Sequence, residues 1–93
     1  MLYAAKCYWP GVTHADLDQL AARAQTESRS DDDGVAYLGS LLFSADDIVL
    51  CLLDGPSRAV VKHAGNRLRI PSERLIDSVW LGTPRPIRNG PKQ

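Results

Sequence analysis

The stretch Ile48-Val49-Leu50-Cys51-Leu52-Leu53 is an unbroken apolar run closed by Asp54 and Gly55. A short apolar run that ends in turn residues reads as a strand, and strand side chains alternate between the two faces of a sheet. Ile48, Leu50 and Leu52 then point one way and Val49, Cys51 and Leu53 the other. Both faces of this strand are oily, so any fold that contains it has to cover both.

The neighbouring segments fix what can supply that cover. Leu2 to Tyr8 reads as a first strand running into the Pro10-Gly11 turn. Thr13 offers an N-cap hydroxyl with Asp16 three residues on, and Leu17, Leu20, Ala21 and Ala24 follow at helical spacing. The outer face of that helix carries Asp18, Gln19, Arg23 and Gln25, and Asp31, Asp32 and Asp33 cap the loop before Gly34. Val35 to Phe43 reads as a second strand, joined to Ile48–Leu53 by a hairpin over Ser44-Ala45-Asp46-Asp47. After Gly55-Pro56-Ser57 a second helix places Val60, Val61, Ala64 and Leu68 on one side, with Gly65 inside it at about 1 kcal/mol against alanine. Pro71 and a Ser72-Glu73-Arg74 link lead to a last strand over Leu75–Leu81. Residues 1–81 make one domain, and 82–93, rich in proline, glycine and basic residues, read as a flexible tail.

The order strand-helix-strand occurs twice. Two right-handed crossovers joined by the hairpin give an α+β fold, the ferredoxin-like βαββαβ sandwich, with an antiparallel sheet in the order 4-1-3-2 and both helices on one face. In strand two Leu38 and Leu42 oppose Val35, Tyr37, Leu41 and Phe43, and in strand four Ile76 and Trp80 oppose Leu75, Val79 and Leu81. Helices on one side leave the other apolar face wet, and a patch of that kind marks an interaction surface. The expectation is a homodimer packed sheet on sheet, a dimeric α/β barrel. Cover by the chain's own tail is the competing solution, but Ile87 is the tail's one sizeable aliphatic anchor.

Eleven basic and eleven acidic residues cancel, so no net field draws the chain to nucleic acid or an anionic membrane. The RNA-binding signature of basic, glycine and aromatic residues is missing from the strands. No basic region precedes an apolar stretch at the start, and no apolar run approaches the roughly 18 residues of a membrane helix. A cytoplasmic protein with no membrane and no nucleic-acid partner is expected. Cys7 and Cys51 each lie inside an apolar run, outside any C-x-x-C pair, and read as buried thiols.

Several stretches together resemble a family of small bacterial ferredoxin-like proteins of largely unassigned function, some described as nickel-binding, that form dimeric α/β barrels. The likeness lies in Trp9-Pro10-Gly11-Val12-Thr13 after strand one, Gly34-Val35 opening strand two, Cys51-Leu52-Leu53-Asp54 leading through Pro56-Ser57, and Ile70-Pro71-Ser72-Glu73-Arg74-Leu75. It covers residues 1–81 and rests on turn and packing signals. Where the family usually places a glycine before the aliphatic-proline pair, this chain has Arg69, which implies a longer second helix. The resemblance implies fold, dimer and a divalent transition metal such as nickel as the possible cofactor; no metal ligand transfers residue by residue.

The donors present are His14 at the start of helix one and His63 in helix two, read as partly buried beside Val60 and Ala64, with Asp16, Asp18, Asp46, Asp47 and Asp54 near in sequence. Imidazole and carboxylate suit such a metal, yet no H-x-x-x-H or C-x-x-C spacing brings them together. His14 and His63 are the metal-ligand candidates, and solvated or packed helix residues are their ordinary role. No nucleophile-elbow context for an active serine occurs. A small-ligand-binding homodimer is the leading expectation. The alternative is a cofactor-independent monooxygenase- or isomerase-like enzyme working in a cavity between sheet and helices, with Tyr3, Tyr8, Trp9, Tyr37 and Trp80, beside His63, as its candidate lining.

Overall fold

A computed structural model describes residues 1–30 and 33–82, with residues 28–30 as backbone. The elements in chain order are β1 (Leu2–Tyr8), α1 (His14–Ser30), β2 (Ala36–Phe43), a 3-10 turn (Ser44–Asp46), β3 (Ile48–Asp54), α2 (Arg58–Arg67) and β4 (Ser72–Ser78). All strand pairs are antiparallel, and the sheet runs β2-β3-β1-β4, which is 4-1-3-2 read from the other edge. This is the ferredoxin-like α+β arrangement. The predicted tail beyond Gly82, with Arg85, Ile87, Arg88 and Lys92, lies outside the described residues, as do Asp31 and Asp32.

Both helices begin as their capping residues dictate. The Thr13 hydroxyl accepts from the Asp16 amide at 3.2 Å while the Asp16 carboxylate accepts from the Thr13 amide at 2.8 Å, a reciprocal capping box. Ser57 caps α2 by accepting from the Val60 amide at 3.3 Å. The helices press Leu20, Ala24, Val61 and Leu68 onto one sheet face, against Tyr3, Ala5 and Cys7 of β1 and Val49, Cys51 and Leu53 of β3. Gly55, just after β3, sits where an added Cβ would lie 2.5 Å from Val61 Cγ2 and 3.1 Å from Val35 Cγ2. The approach of β3's end to α2 is therefore set by a missing side chain.

Several local expectations are corrected. Helix α2 is not lengthened by the absence of the family's glycine, for it stops at Arg67 and Arg69 itself takes the left-handed conformation, φ 60°. The Arg69 amide donates to Asn66 O at 3.1 Å and the Ile70 amide to Gly65 O at 3.0 Å, so the helix closes in a Schellman motif with arginine in the glycine position. Strand β4 starts at Ser72, within the expected link, and ends at Ser78 rather than Leu81. Its pairing with β1 stops at Leu2 opposite Ser78, and Val79, Trp80 and Leu81 continue past it, exposed. In β2 a bulge between Tyr37 and Gly39 re-phases the strand, with Gly39 at φ 136°. One extra residue exchanges the faces beyond it, so Tyr37 and Leu42 share the helix side, whereas alternation without the bulge sets them apart. Ala21 is exposed rather than part of the buried stripe. Arg23, expected on the outer face of α1, is half-buried and donates to the Leu68 carbonyl at the end of α2.

Candidate functional site

The sheet face away from the helices is an apolar surface left uncovered among the described residues. Residues in register along it are Leu2, Ala4, Lys6 and Tyr8 of β1 beside Asp54, Leu52, Leu50 and Ile48 of β3. On one flank β2 adds Leu41 opposite Leu50 and Phe43 opposite Ile48, and on the other β4 adds Arg74 and Ile76 opposite Lys6 and Ala4. Tyr8, Leu41 and Phe43 are 53%, 52% and 45% exposed, and Ile48, Leu50 and Leu52 are half-buried only by one another and their neighbours. The expected oily second face is present in the single chain.

Two hollows lie on the helix side, both bordered by Tyr37. One is a recess of about 20 Å³ bordered by Ala24, Val35, Tyr37, Leu68 and the Asp33–Arg67 pair, roughly the room of one water. Arg67 donates to Asp33 at 2.9 Å and stands 3.7 Å from Glu27. The other is an open groove of about 500 Å³ between α1 and the β2 bulge, bordered by Ala21, Gln25, Leu38 and Gly39. The Val35 amide, donating to Asp33 Oδ1 at 3.0 Å, and then Arg67 hold the Asp33 carboxyl below the usual carboxylate range despite its burial.

From Tyr37 a polar chain runs into the core. The Ser40 hydroxyl donates to Cys51 Sγ at 3.4 Å, which spends its one proton, so the Tyr37 phenol is the donor in the Tyr37–Ser40 bond. Burial raises the Tyr37 phenol pKa. Cys7 and Cys51 are fully buried neighbours on adjacent strands. Their hydrogen bond, then burial, pushes Cys7 above the ordinary thiol range. Hydrogen bonds from Cys7 first, and from Ser40, draw the Cys51 thiol down against its own burial.

The sequence candidates do not gather at one place. His14, the first residue of α1, and His63 on α2 are both exposed, so His63 is not partly buried as expected. Among the described residues no group of three or more His, Cys, Asp or Glu side chains converges as a metal cage. Tyr3 is core, and Trp9 packs half-buried against the core. Tyr8 lies on the open face, and Trp80 is 67% exposed beyond β4. Tyr37 alone of these candidates borders the hollows. Sequence reasoning misses Asp33 with Arg67, Ser40 with Cys51, and Lys6 with Arg74. Lys6 does carry a signal, for a lone charge at the parity of Leu2, Ala4 and Tyr8 stands out on an otherwise apolar strand face.

No family model matches the sequence, and no curated protein matches it either. Among solved structures, the one titled "Crystal structure analysis of SCO4226 from Streptomyces coelicolor A3(2)" superposes with a TM-score of 0.72 at 19% identity, covering 89% of this chain and 100% of that one. That likeness establishes the same fold over nearly the whole of both chains. No helix among the described residues is long and apolar enough to cross a membrane.

Proposed function

We propose that this chain is a small binding protein that works as a homodimer, two copies packed open sheet face to open sheet face, and captures a small ligand. The carrying observation is the open face itself, where Tyr8, Leu41 and Phe43 stay about half exposed. Burying a large apolar side chain gains about 1.5–3 kcal/mol, so cover by a second copy favours both faces at once. A two-fold contact is the simplest cover, because each face supplies what the other lacks.

The groove between α1 and the β2 bulge supports ligand capture, since at about 500 Å³ it falls within the range of small-molecule sites. The recess between helices and sheet, at about 20 Å³, gives the alternative monooxygenase- or isomerase-like reading less room. Nickel or another divalent transition metal is the ligand class that the sequence resemblance implies, with His14 and His63, exposed on the helices and away from the shared sheet face, as the imidazole donors available. A cytoplasmic home belongs to the same reading, because unpaired buried thiols suit a reducing compartment.

Sedimentation equilibrium and calorimetric titration test the two halves separately. A dimer mass that falls to a monomer in Leu41→Asp, with helical circular dichroism unchanged, is the expected result. A strictly monomeric wild-type chain at high concentration overturns the assembly. Absence of heat, and of any melting shift, with nickel, zinc and copper removes the metal version.

A further inference from the structure

Lys6 and Arg74 face one another across the β1–β4 ladder in the middle of the oily open face, with Leu50 on the far side of Lys6. Like charges directly opposite in a sheet repel, and neither side chain has a hydrogen bond or ion pair among the described residues. Covering this face with a second copy desolvates both cations, which is costly unless a carboxylate comes with the cover. Glu73 falls at the β4 register shift, with no β1 residue opposite it. On the strand residues that share the face in register the one carboxylate is Asp54, near the opposite end, opposite Leu2 and Ala36, where it is exposed and stands 3.0 Å from the N-terminal ammonium, which a partner's cations would have to displace or share. Within one chain Asp54 is about four residues along the strands from Lys6, roughly 13 Å at strand rise, too far to pair.

The face is also graded in size. Tyr8, Ile48 and Phe43 crowd the end beyond Lys6, whereas small Ala4, Gly39 and Ala36 alternate with Leu2, Leu52 and Ile76 toward Asp54. We propose that the second copy docks with its strands antiparallel, across a two-fold axis normal to the strands near the Ala4–Leu52 pair, so that Asp54 of the partner subunit meets Lys6 and Arg74. This rests on the face-to-face dimer proposed above and adds its register. A two-fold axis along the strands instead stacks the crowded ends on each other and leaves four cations at the same level with no counter-charge. The antiparallel axis separates the crowded ends and forms the ion contact twice.

Mixing charge variants of the full chain tests the register. Lys6→Glu alone sets a glutamate against Asp54 twice, and Asp54→Lys alone sets Lys6 against a lysine twice, so each weakens self-association at least tenfold. In an equimolar mixture both contacts between residues 6 and 54 are again opposite in charge, one of them beside a like-charged Arg74, and a heterodimer forms at least tenfold more tightly than either homodimer, read by sedimentation velocity with one variant fluorescently labelled. Circular dichroism confirms that each variant folds; the milder Lys6→Gln and Asp54→Asn stand in for one that does not, each weakening the dimer without the mixture recovering fully. A wild-type dimer whose mixed variants gain nothing overturns the register while leaving the dimer in place. A monomeric wild type overturns both.

Discussion

The Arg23 guanidinium on α1 donates to the Leu68 carbonyl at the end of α2 through two nitrogens, at 2.9 and 3.2 Å. A single forked contact thus ties the middle of one helix to the last turn of the other. It also places a cation at the negative end of α2.

Arg23→Ala therefore removes a charged donor and leaves a half-shielded carbonyl short of a partner. The expected loss is about 1–2 kcal/mol in urea denaturation. Arg23→Lys recovers only part of it, because an ammonium cannot reproduce the fork. An unchanged midpoint in Arg23→Ala shows that water replaces the contact at no cost.

Arg69 holds the left-handed conformation that closes the Schellman motif. A side chain there costs roughly 1–2 kcal/mol, partly offset by the backbone freedom that glycine would add to the unfolded chain. Arg69→Gly is expected to gain about 0.5–1 kcal/mol and raise Tm by a few degrees. Arg69→Ala keeps the Cβ and gains nothing, so a melting comparison of the two separates backbone strain from loss of charge.

Gly55→Ala forces a methyl against Val61, fully buried, and Val35. Overpacking of this kind costs about 1–3 kcal/mol. Truncating the obstructing side chain in Gly55→Ala/Val61→Ala makes the double loss smaller than the sum of the singles, as denaturation of the full cycle will show. Strict additivity places the clash elsewhere.

The Asp33 carboxyl, held below its ordinary range by the Val35 amide and Arg67, titrates lower in the folded chain than in the unfolded one. Its contribution is fully present above the usual carboxylate range near pH 4 and is lost as pH falls through the lowered folded value. Asp33→Asn is accordingly less stable at neutral pH by about 1 kcal/mol. The gap to wild type closes as the pH drops below about 4. A gap constant from pH 7 to pH 2, measured by denaturation at each pH, rules out the linkage.

Much of the architecture was legible because periodicity and caps acted together. Thr13 with Asp16 and Ser57 with Val60 start the helices where their spacing says. The open face followed from the alternation in Ile48–Leu53, which the structure keeps without interruption. The misreadings occur where a single backbone conformation overrides a pattern. The bulge before Gly39 reverses the parity of β2, and left-handed Arg69 ends a helix that composition alone would have continued. At β4 the apolar run Val79-Trp80-Leu81 looked like strand, but no β1 residue remains opposite it after Leu2. The Asp33–Arg67 contact joins segments distant in sequence, and Ser40–Cys51 follows from a hairpin register that no local spacing encodes.

Strand β1 comes first in chain order yet sits in the interior of the sheet, pairing with β3 on one side and β4 on the other. During synthesis it waits on the ribosome for both, and such distant pairings are slow to close. A nascent chain halted before Ser72 would carry Leu2–Tyr8 with one edge zipped and the other bare, the kind of edge that recruits foreign strands. The last strand is thus the lock on quality control for the first.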